Sequence, residues 1–202
     1  MNTKTMKHLL TLTILFFAVT AIAHAQTWHY GLKAALTLSG IDGNGMRAKI
    51  YPGVQGGVFV EKTFNKKWSI QPEVLLSQTN VSKNEDFLKY YNTDGRTDAS
   101  EKAKLLYIAV PVLVHYNITP VISIVAGPQY SALIYSNEDL LRGDRDAFKN
   151  YELSAVGGVR INLNTVSFYA RYNKGLTNIN NVDDRYKWTS NQIQAGIAVR
   201  IK

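Results

Sequence analysis

Cysteine is absent from this chain of 202 residues, so it has no disulfide framework, no thiolate metal site and no thiol nucleophile. Proline is sparse, with 5 residues. Beyond the first 25 residues no apolar run approaches the roughly 18 residues of a membrane-spanning helix. The longest, Leu105–Val114, has ten residues and contains Pro111. These absences argue against a helical membrane protein, while a hydrophobic content of 46% excludes a disordered chain.

Acidic residues are fewer than basic ones, 15 against 23, which gives a formal net charge of +8. Such an excess raises nucleic acid as a partner. However, two of the positive charges lie in the N-terminal leader described next. The remainder forms no basic stripe, and loop charges such as Asp144-Arg145-Asp146 and Asp183-Asp184-Arg185 alternate in sign. The sequence therefore predicts no nucleic-acid partner.

The first 25 residues have the organisation of a secretory signal peptide. Lys4 and Lys7 precede the apolar stretch Leu9–Ala23, and Ala23-His24-Ala25 is an A-x-A cleavage site. We expect residues 1–25 to be removed on export and residues 26–202 to form a single domain outside the cytoplasm.

Apolar residues recur with period two in eight segments of the mature chain, and no segment shows a convincing helical period. In each segment one face is a run of apolar residues with no charge among them, whereas the other face is mixed and polar. The predicted strands are 27–38, 51–62, 68–79, 104–118, 121–135, 151–163, 165–174 and 190–202.

The connections between these strands alternate between long and short. The long ones are 39–50, 80–103, 136–150 and 175–189, and the short ones are 63–67, 119–120 and 164. An even number of strands with long loops at one end and tight turns at the other is typical of outer-membrane barrels. The predicted fold is all-β: an eight-stranded antiparallel up-and-down transmembrane β-barrel, preceded by a cleaved signal peptide and located in the cell outer membrane.

Two barrel classes share this pattern, since a soluble lipocalin-like barrel would turn its apolar face inward around a ligand. The polar face has few charges for a wet exterior, which favours the membrane class. The apolar face also carries aromatic residues in two belts, as expected at the two membrane interfaces. The belt at the tight-turn end contains Trp28, Tyr30, Trp68 and Tyr116, and the belt toward the long loops contains Tyr130, Tyr151 and Tyr172.

Several short motifs, in order, resemble those of a known family. They are Tyr51-Pro52-Gly53, Gly56-Gly57, Ile70–Gln78, Tyr107–Pro111, Ala126-Gly127-Pro128 and Arg171–Asn178. With these motifs the chain resembles the small outer-membrane β-barrel domain family of Bacteroidota, which includes PorT-like proteins and is often labelled "porin family". The resemblance implies an outer-membrane barrel but no single activity.

The sequence offers no catalytic, cofactor-binding or metal site. His29 and His115 are the histidines of the mature chain, both near the tight-turn end, with no acidic or third histidine ligand close in sequence. Enzymatic outer-membrane barrels would need such groups at the outer mouth, where substrate arrives. Asp42-Gly43-Asn44-Gly45 resembles part of a calcium loop but lacks the later bidentate Glu.

Charged residues on the polar face predict a structural ion-pair network in the lumen. They are Lys33, Glu61, Glu73, Arg160, Arg171 and Arg200, with Glu152 also facing inward. An eight-stranded barrel is just wide enough for side chains to fill, and charges enclosed there must pair. From heights counted along each strand, we predict that Glu73 is shared among Lys33, Arg160 and Arg171. Glu61 is predicted to pair with Arg200 or Lys33.

We therefore expect a non-enzymatic outer-membrane protein with a filled polar lumen, a lipid partner, and a structural or surface-interaction role through its four long loops. Two alternatives place it in other classes: a PorT-like transport or secretion accessory or small pore, and a soluble secreted lipocalin-like binder. The sequence does not identify a loop ligand.

Overall fold

The barrel is closed: each strand pairs antiparallel with its neighbours in the chain, and β1 pairs with β8. The computed structural model describes residues 27–42, 51–82, 102–137, 149–180 and 187–201. Within these ranges no helix is long and apolar enough to cross a membrane. The strands are β1 Thr27–Asp42, β2 Tyr51–Thr63, β3 Trp68–Ser82, β4 Lys102–Asn117, β5 Ile122–Asn137, β6 Tyr151–Leu163, β7 Val166–Gly175 and β8 Thr189–Arg200. The predicted fold class is confirmed, whereas the predicted signal peptide lies outside the described residues.

Strand alternation places the uncharged apolar residues on the outside of the barrel. Leu36, Val54 and Val74 are among the large apolar side chains that are more than half exposed. Gln71, Glu73 and Gln194, by contrast, are buried in the lumen. The barrel thus presents an apolar exterior and a largely polar interior, opposite to a lipocalin. One exception is the lumen face of β4, where Leu105, Ala109 and Leu113 are buried.

Several strands are longer than predicted, so the predicted loops 39–50, 80–103 and 136–150 are correspondingly shorter. The last residues of β1, Ser39 to Asp42, pair with Gln192 to Thr189 of β8. These residues are mostly polar and break the apolar alternation. Backbone pairing does not require apolar side chains, so the ladder continues where the sequence signal ends.

A bulge near the outer end of β5 turns one aromatic residue outward. Leu106 pairs with Tyr135 but the next residue, Tyr107, pairs with Leu133. Strict alternation would place Tyr135 in the lumen. With the extra residue, both Ile134 and Tyr135 are exposed on the outer face.

The seven predicted belt residues all lie on the outer face. Trp28, Tyr30 and Trp68 are exposed near the tight turns, and the rings of Trp68 and Tyr116 pack with centroids 4.7 Å apart. Tyr130, Tyr151 and Tyr172 are exposed toward the other end, where the bulge adds Tyr135.

Glycines on the lumen face make room for large rings on the adjacent strand. Phe59 lies opposite Gly31, where an added Cβ would be 2.7 Å from its ring. Tyr169 lies opposite Gly196 in the same way, at 2.8 Å. This pairing of a ring with a glycine fills the narrow lumen without widening the barrel.

Candidate functional site

The lumen network begins at Glu73, a fully buried carboxylate on β3. Lys33 Nζ of β1 lies 2.7 Å from Glu73 Oε1, and Gln71 Nε2 donates to the same oxygen at 2.6 Å. Arg171 of β7 donates from both terminal nitrogens, at 3.0 Å to Oε1 and 3.1 Å to Oε2. Two cations and one amide therefore satisfy a single carboxylate.

A second cluster surrounds Glu61 of β2, closer to the tight turns. Arg160 Nη1 of β6 lies 3.2 Å from Glu61 Oε2, and Arg200 Nη2 lies 3.4 Å from the same oxygen. Ser69 donates to Oε1 at 2.8 Å. Arg160 also lies 3.2 Å from His115 Nδ1, which must accept because arginine can only donate.

The two clusters are joined through Gln71. Its amide nitrogen donates to Glu73, and its oxygen accepts from Arg160 Nη1 at 2.9 Å. The lower and middle lumen therefore holds one connected polar network.

One predicted partner is wrong: Arg160 pairs with Glu61 and not with Glu73, among the contacts of the described residues. The predicted heights ignored the stagger between strands of a closed barrel. The hydrogen bonds of Arg160 Nη1 to Glu61 and Gln71, and its contact with His115, place the guanidinium at the level of Glu61. The structure brings Lys33 and Arg171 to Glu73 and Arg200 to Glu61, as in the predicted scheme.

Tyr169 supports both cations of the Glu73 cluster. Its ring centroid lies 4.1 Å from Lys33 Nζ and 4.3 Å from Arg171 Cζ. Cation–π attraction partly offsets the excess of positive charge that one carboxylate leaves. Alternation in the sequence places Tyr169 in the lumen but gives no indication of which cations its ring contacts.

The outer half of the lumen is polar with little charge. A cavity of about 40 Å³ lies there, lined by hydroxyl and amide side chains on one flank and by apolar side chains of β4 on the other. Glu152 lines this cavity and accepts a hydrogen bond from Ser190. It takes part in no ion pair of the described chain.

Three side chains in the described part of the β7–β8 connection, residues 176–180 and 187–188, are turned inward at the outer end of the lumen. Ile179, Asn180 and Trp188 are almost completely buried, and Ile179 lines the cavity. Asn178 Oδ1 accepts from the backbone of Asn180 at 3.0 Å and of Trp188 at 2.9 Å. The predicted loop 175–189 is thus partly an inward cap. The available signal was a tryptophan and an isoleucine within a polar segment.

Two of the quoted motifs meet in the lumen. The segment Ile70–Gln78 supplies Gln71 and Glu73, and the segment Arg171–Asn178 supplies Arg171, Gly175 and the capping Asn178. Among the described residues no three His, Asp or Glu side chains lie close enough together to hold a metal ion. Most of the calcium-loop-like segment Asp42–Gly45 lies outside the described ranges.

The comparisons with known proteins bear on this architecture. The outer membrane protein beta-barrel domain family matches residues 24–181. The chain belongs to this family. With its apolar exterior and aromatic belts, it is an outer-membrane β-barrel protein of the cell outer membrane.

Among solved structures, one with a TM-score above 0.5 shows the same fold. Neisserial surface protein A is 14% identical, with a TM-score of 0.52, over 87% of this chain and 99% of that protein. The attachment invasion locus protein Ail of Yersinia pestis, solved with the heparin analogue sucrose octasulfate, is 10% identical, with a TM-score of 0.49, over 86% of this chain and 99% of Ail. No curated protein matches the sequence.

Proposed function

We propose that this protein is a non-enzymatic outer-membrane barrel with a closed lumen, which acts at the cell surface through its long outer connections. The observation that carries the proposal is the position of its buried ion pairs. Arg171–Glu73 joins β7 to β3, and Arg160–Glu61 joins β6 to β2. In a ring of eight strands each of these pairs connects opposite walls.

Such cross-lumen pairs occupy the space through which ions or solutes would pass. Lys33, Tyr169 and Gln71 fill the gaps around them. Opening the lumen would require separating buried opposite charges, which is strongly unfavourable unless each finds a new partner. A closed lumen favours a structural or surface role over transport.

The outer connections offer the surface for that role. All four long connections join strand ends on one side of the barrel, and short turns join the strands on the other side. In outer-membrane barrels the long connections face the outside of the cell. We propose that the ligand or partner of this protein binds there.

Planar-bilayer recording tests the closed lumen. We expect the folded wild-type protein to show no stepwise conductance, and Glu73→Ala to introduce current fluctuations. Val74→Ala is the matched control, because Val74 is the next residue but faces lipid. Regular stepwise channels in the wild-type protein would contradict the proposal and favour the small pore.

Within its family, we propose that the chain belongs to the PorT-like group of Bacteroidota. The support is the set of motifs described above, two of which build the lumen network. Deletion of the gene followed by a protein-secretion assay tests whether it also shares an accessory role in secretion. If secretion is unchanged in the deletion strain, the accessory role is rejected and only the surface role remains proposed.

A further inference from the structure

Glu152 stands apart from the ion pairs of the lower lumen. It lies near the outer end of β6, is 7% exposed, and lines the cavity of about 40 Å³ below the cap of Ile179 and Trp188. Its partner is Ser190 of β8. Glu152 forms no salt bridge with any described residue, although a buried carboxylate ordinarily requires a cation.

Gly175 leaves the space in which the Glu152 carboxylate sits. A Cβ added to Gly175 would lie 2.3 Å from Glu152 Oε1 and 2.9 Å from Ser190 Oγ. Glu152 therefore crosses the end of β7, at its glycine, to reach β8. The strand end accommodates the carboxylate in this position.

A second polar side chain lines the same cavity. Asn173 is 4% exposed and lines the cavity, and its Oδ1 accepts no hydrogen bond within the described chain. Ser131 and Gln129 add further oxygen atoms to the lining. Carboxylate, amide and hydroxyl oxygens are the ligands that hard cations prefer.

We propose that this cavity is a binding site for a small alkali cation such as Na⁺, held by Glu152 and Asn173. A monovalent cation neutralises the single carboxylate, whereas a divalent cation would leave a buried net charge. The volume suits a small ion and its residual water, because each water-sized sphere occupies about 10–15 Å³ by the same measure. The site is separate from the ion pairs that close the lumen, so it does not depend on the proposed function.

Thermal unfolding of the full-length folded barrel, followed by heat-modifiability on a gel, tests this site. The protein is compared in NaCl and in N-methylglucamine chloride at equal ionic strength, because the larger cation does not fit the cavity. We expect Na⁺ to raise the unfolding midpoint by about 2–4 °C at saturation. In Glu152→Gln this difference should disappear.

Asp42→Asn is the matched control, because Asp42 is a carboxylate at the same end of the barrel that pairs with Lys174 outside the cavity. It should keep the Na⁺ response. If Glu152→Gln does not fold, Asn173→Ala provides the test, and it should raise the half-saturating Na⁺ concentration several-fold. Equal midpoints in the two salts for the wild-type protein would overturn the proposal. So would a response to Ca²⁺ alone that depends on Glu152.

Discussion

Each of the carboxylates Glu61 and Glu73 accepts hydrogen bonds from several donors at once. This sharing determines how much free energy of unfolding is lost when a donor or the acceptor is substituted. Glu73 accepts from Lys33, Gln71 and Arg171, whereas each of these residues has other contacts. Lys33 and Arg171 retain the Tyr169 ring when the carboxylate is lost. Removal of the shared acceptor leaves more buried charge uncompensated than removal of any one donor.

Glu73→Ala is therefore expected to lower the free energy of unfolding by about 3–5 kcal/mol, more than Lys33→Ala or Arg171→Ala. Urea-driven unfolding from lipid vesicles, followed by tryptophan fluorescence, measures this difference. A loss smaller than that of Arg171→Ala would contradict the shared-acceptor arrangement.

Double-mutant cycles distinguish the observed partners from those predicted from the sequence. Arg160 and Glu61 are in direct contact, so their coupling energy should reach about 0.5–3 kcal/mol. Arg160 and Glu73 make no direct hydrogen bond among the described residues; Gln71 bridges them and their charges interact at longer range, so they should couple more weakly. Stronger coupling of Arg160 to Glu73 than to Glu61 would restore the partner predicted from the sequence.

Individual strands owe their close approach to glycines that face inward, as two adjacent glycines of β6 show. A Cβ added to Gly158 would lie 2.2 Å from the backbone oxygen of Ala170 and 2.7 Å from Arg171 Cα. A Cβ on Gly157 meets nothing within 4 Å, because that position faces outward. The same substitution therefore has different consequences at consecutive positions.

Gly158→Ala should destabilise the barrel by about 1–3 kcal/mol, because β6 and β7 must separate to admit the methyl group. Gly157→Ala should change the free energy of unfolding by less than about 0.5 kcal/mol and serves as the control. Urea-driven unfolding from lipid vesicles measures the free energy of unfolding of both variants. Similar losses at the two positions would show that the strand faces are assigned incorrectly.

The outer face of each strand must be free of charge at mid-height, because it contacts lipid. Val58 lies opposite Leu32 and Val74 in the apolar band, away from both aromatic belts. Val58→Arg should lower the free energy of unfolding by about 2–4 kcal/mol if residue 58 lies near the bilayer midplane. Ile118→Arg, in the turn between β4 and β5, should cost at most about 1 kcal/mol. Equal costs would argue against a lipid-facing Val58.

For the whole molecule, closure by the β1–β8 pairing leaves no free strand edge and fixes which ends of the barrel carry the long connections. Loops at one end can then vary without disturbing the strands. This separation of a fixed barrel from variable loops is the basis of the proposed surface role.

An epitope tag inserted between Asp94 and Gly95, or within residues 142–146, should leave the barrel folded and accessible to antibody on intact cells. A tag in the two-residue turn at Asn164, which has a positive φ of 49°, should prevent folding or remain inaccessible. Labelling of intact cells at the turn but not at the loops would reverse the assigned topology.

The sequence alone determined the fold class, the number of strands and the side of the barrel on which nearly every side chain lies, because period-two alternation acts locally. It also identified the charged residues of the lumen, since the middle of the lipid face carries no charge. It could not determine that Arg160 meets Glu61, that Tyr135 turns outward, or that Trp188 caps the lumen. These depend on the stagger between strands, on a one-residue bulge and on the return of a loop into the barrel mouth. Each brings together residues far apart in the chain, so only the closed tertiary structure decides them.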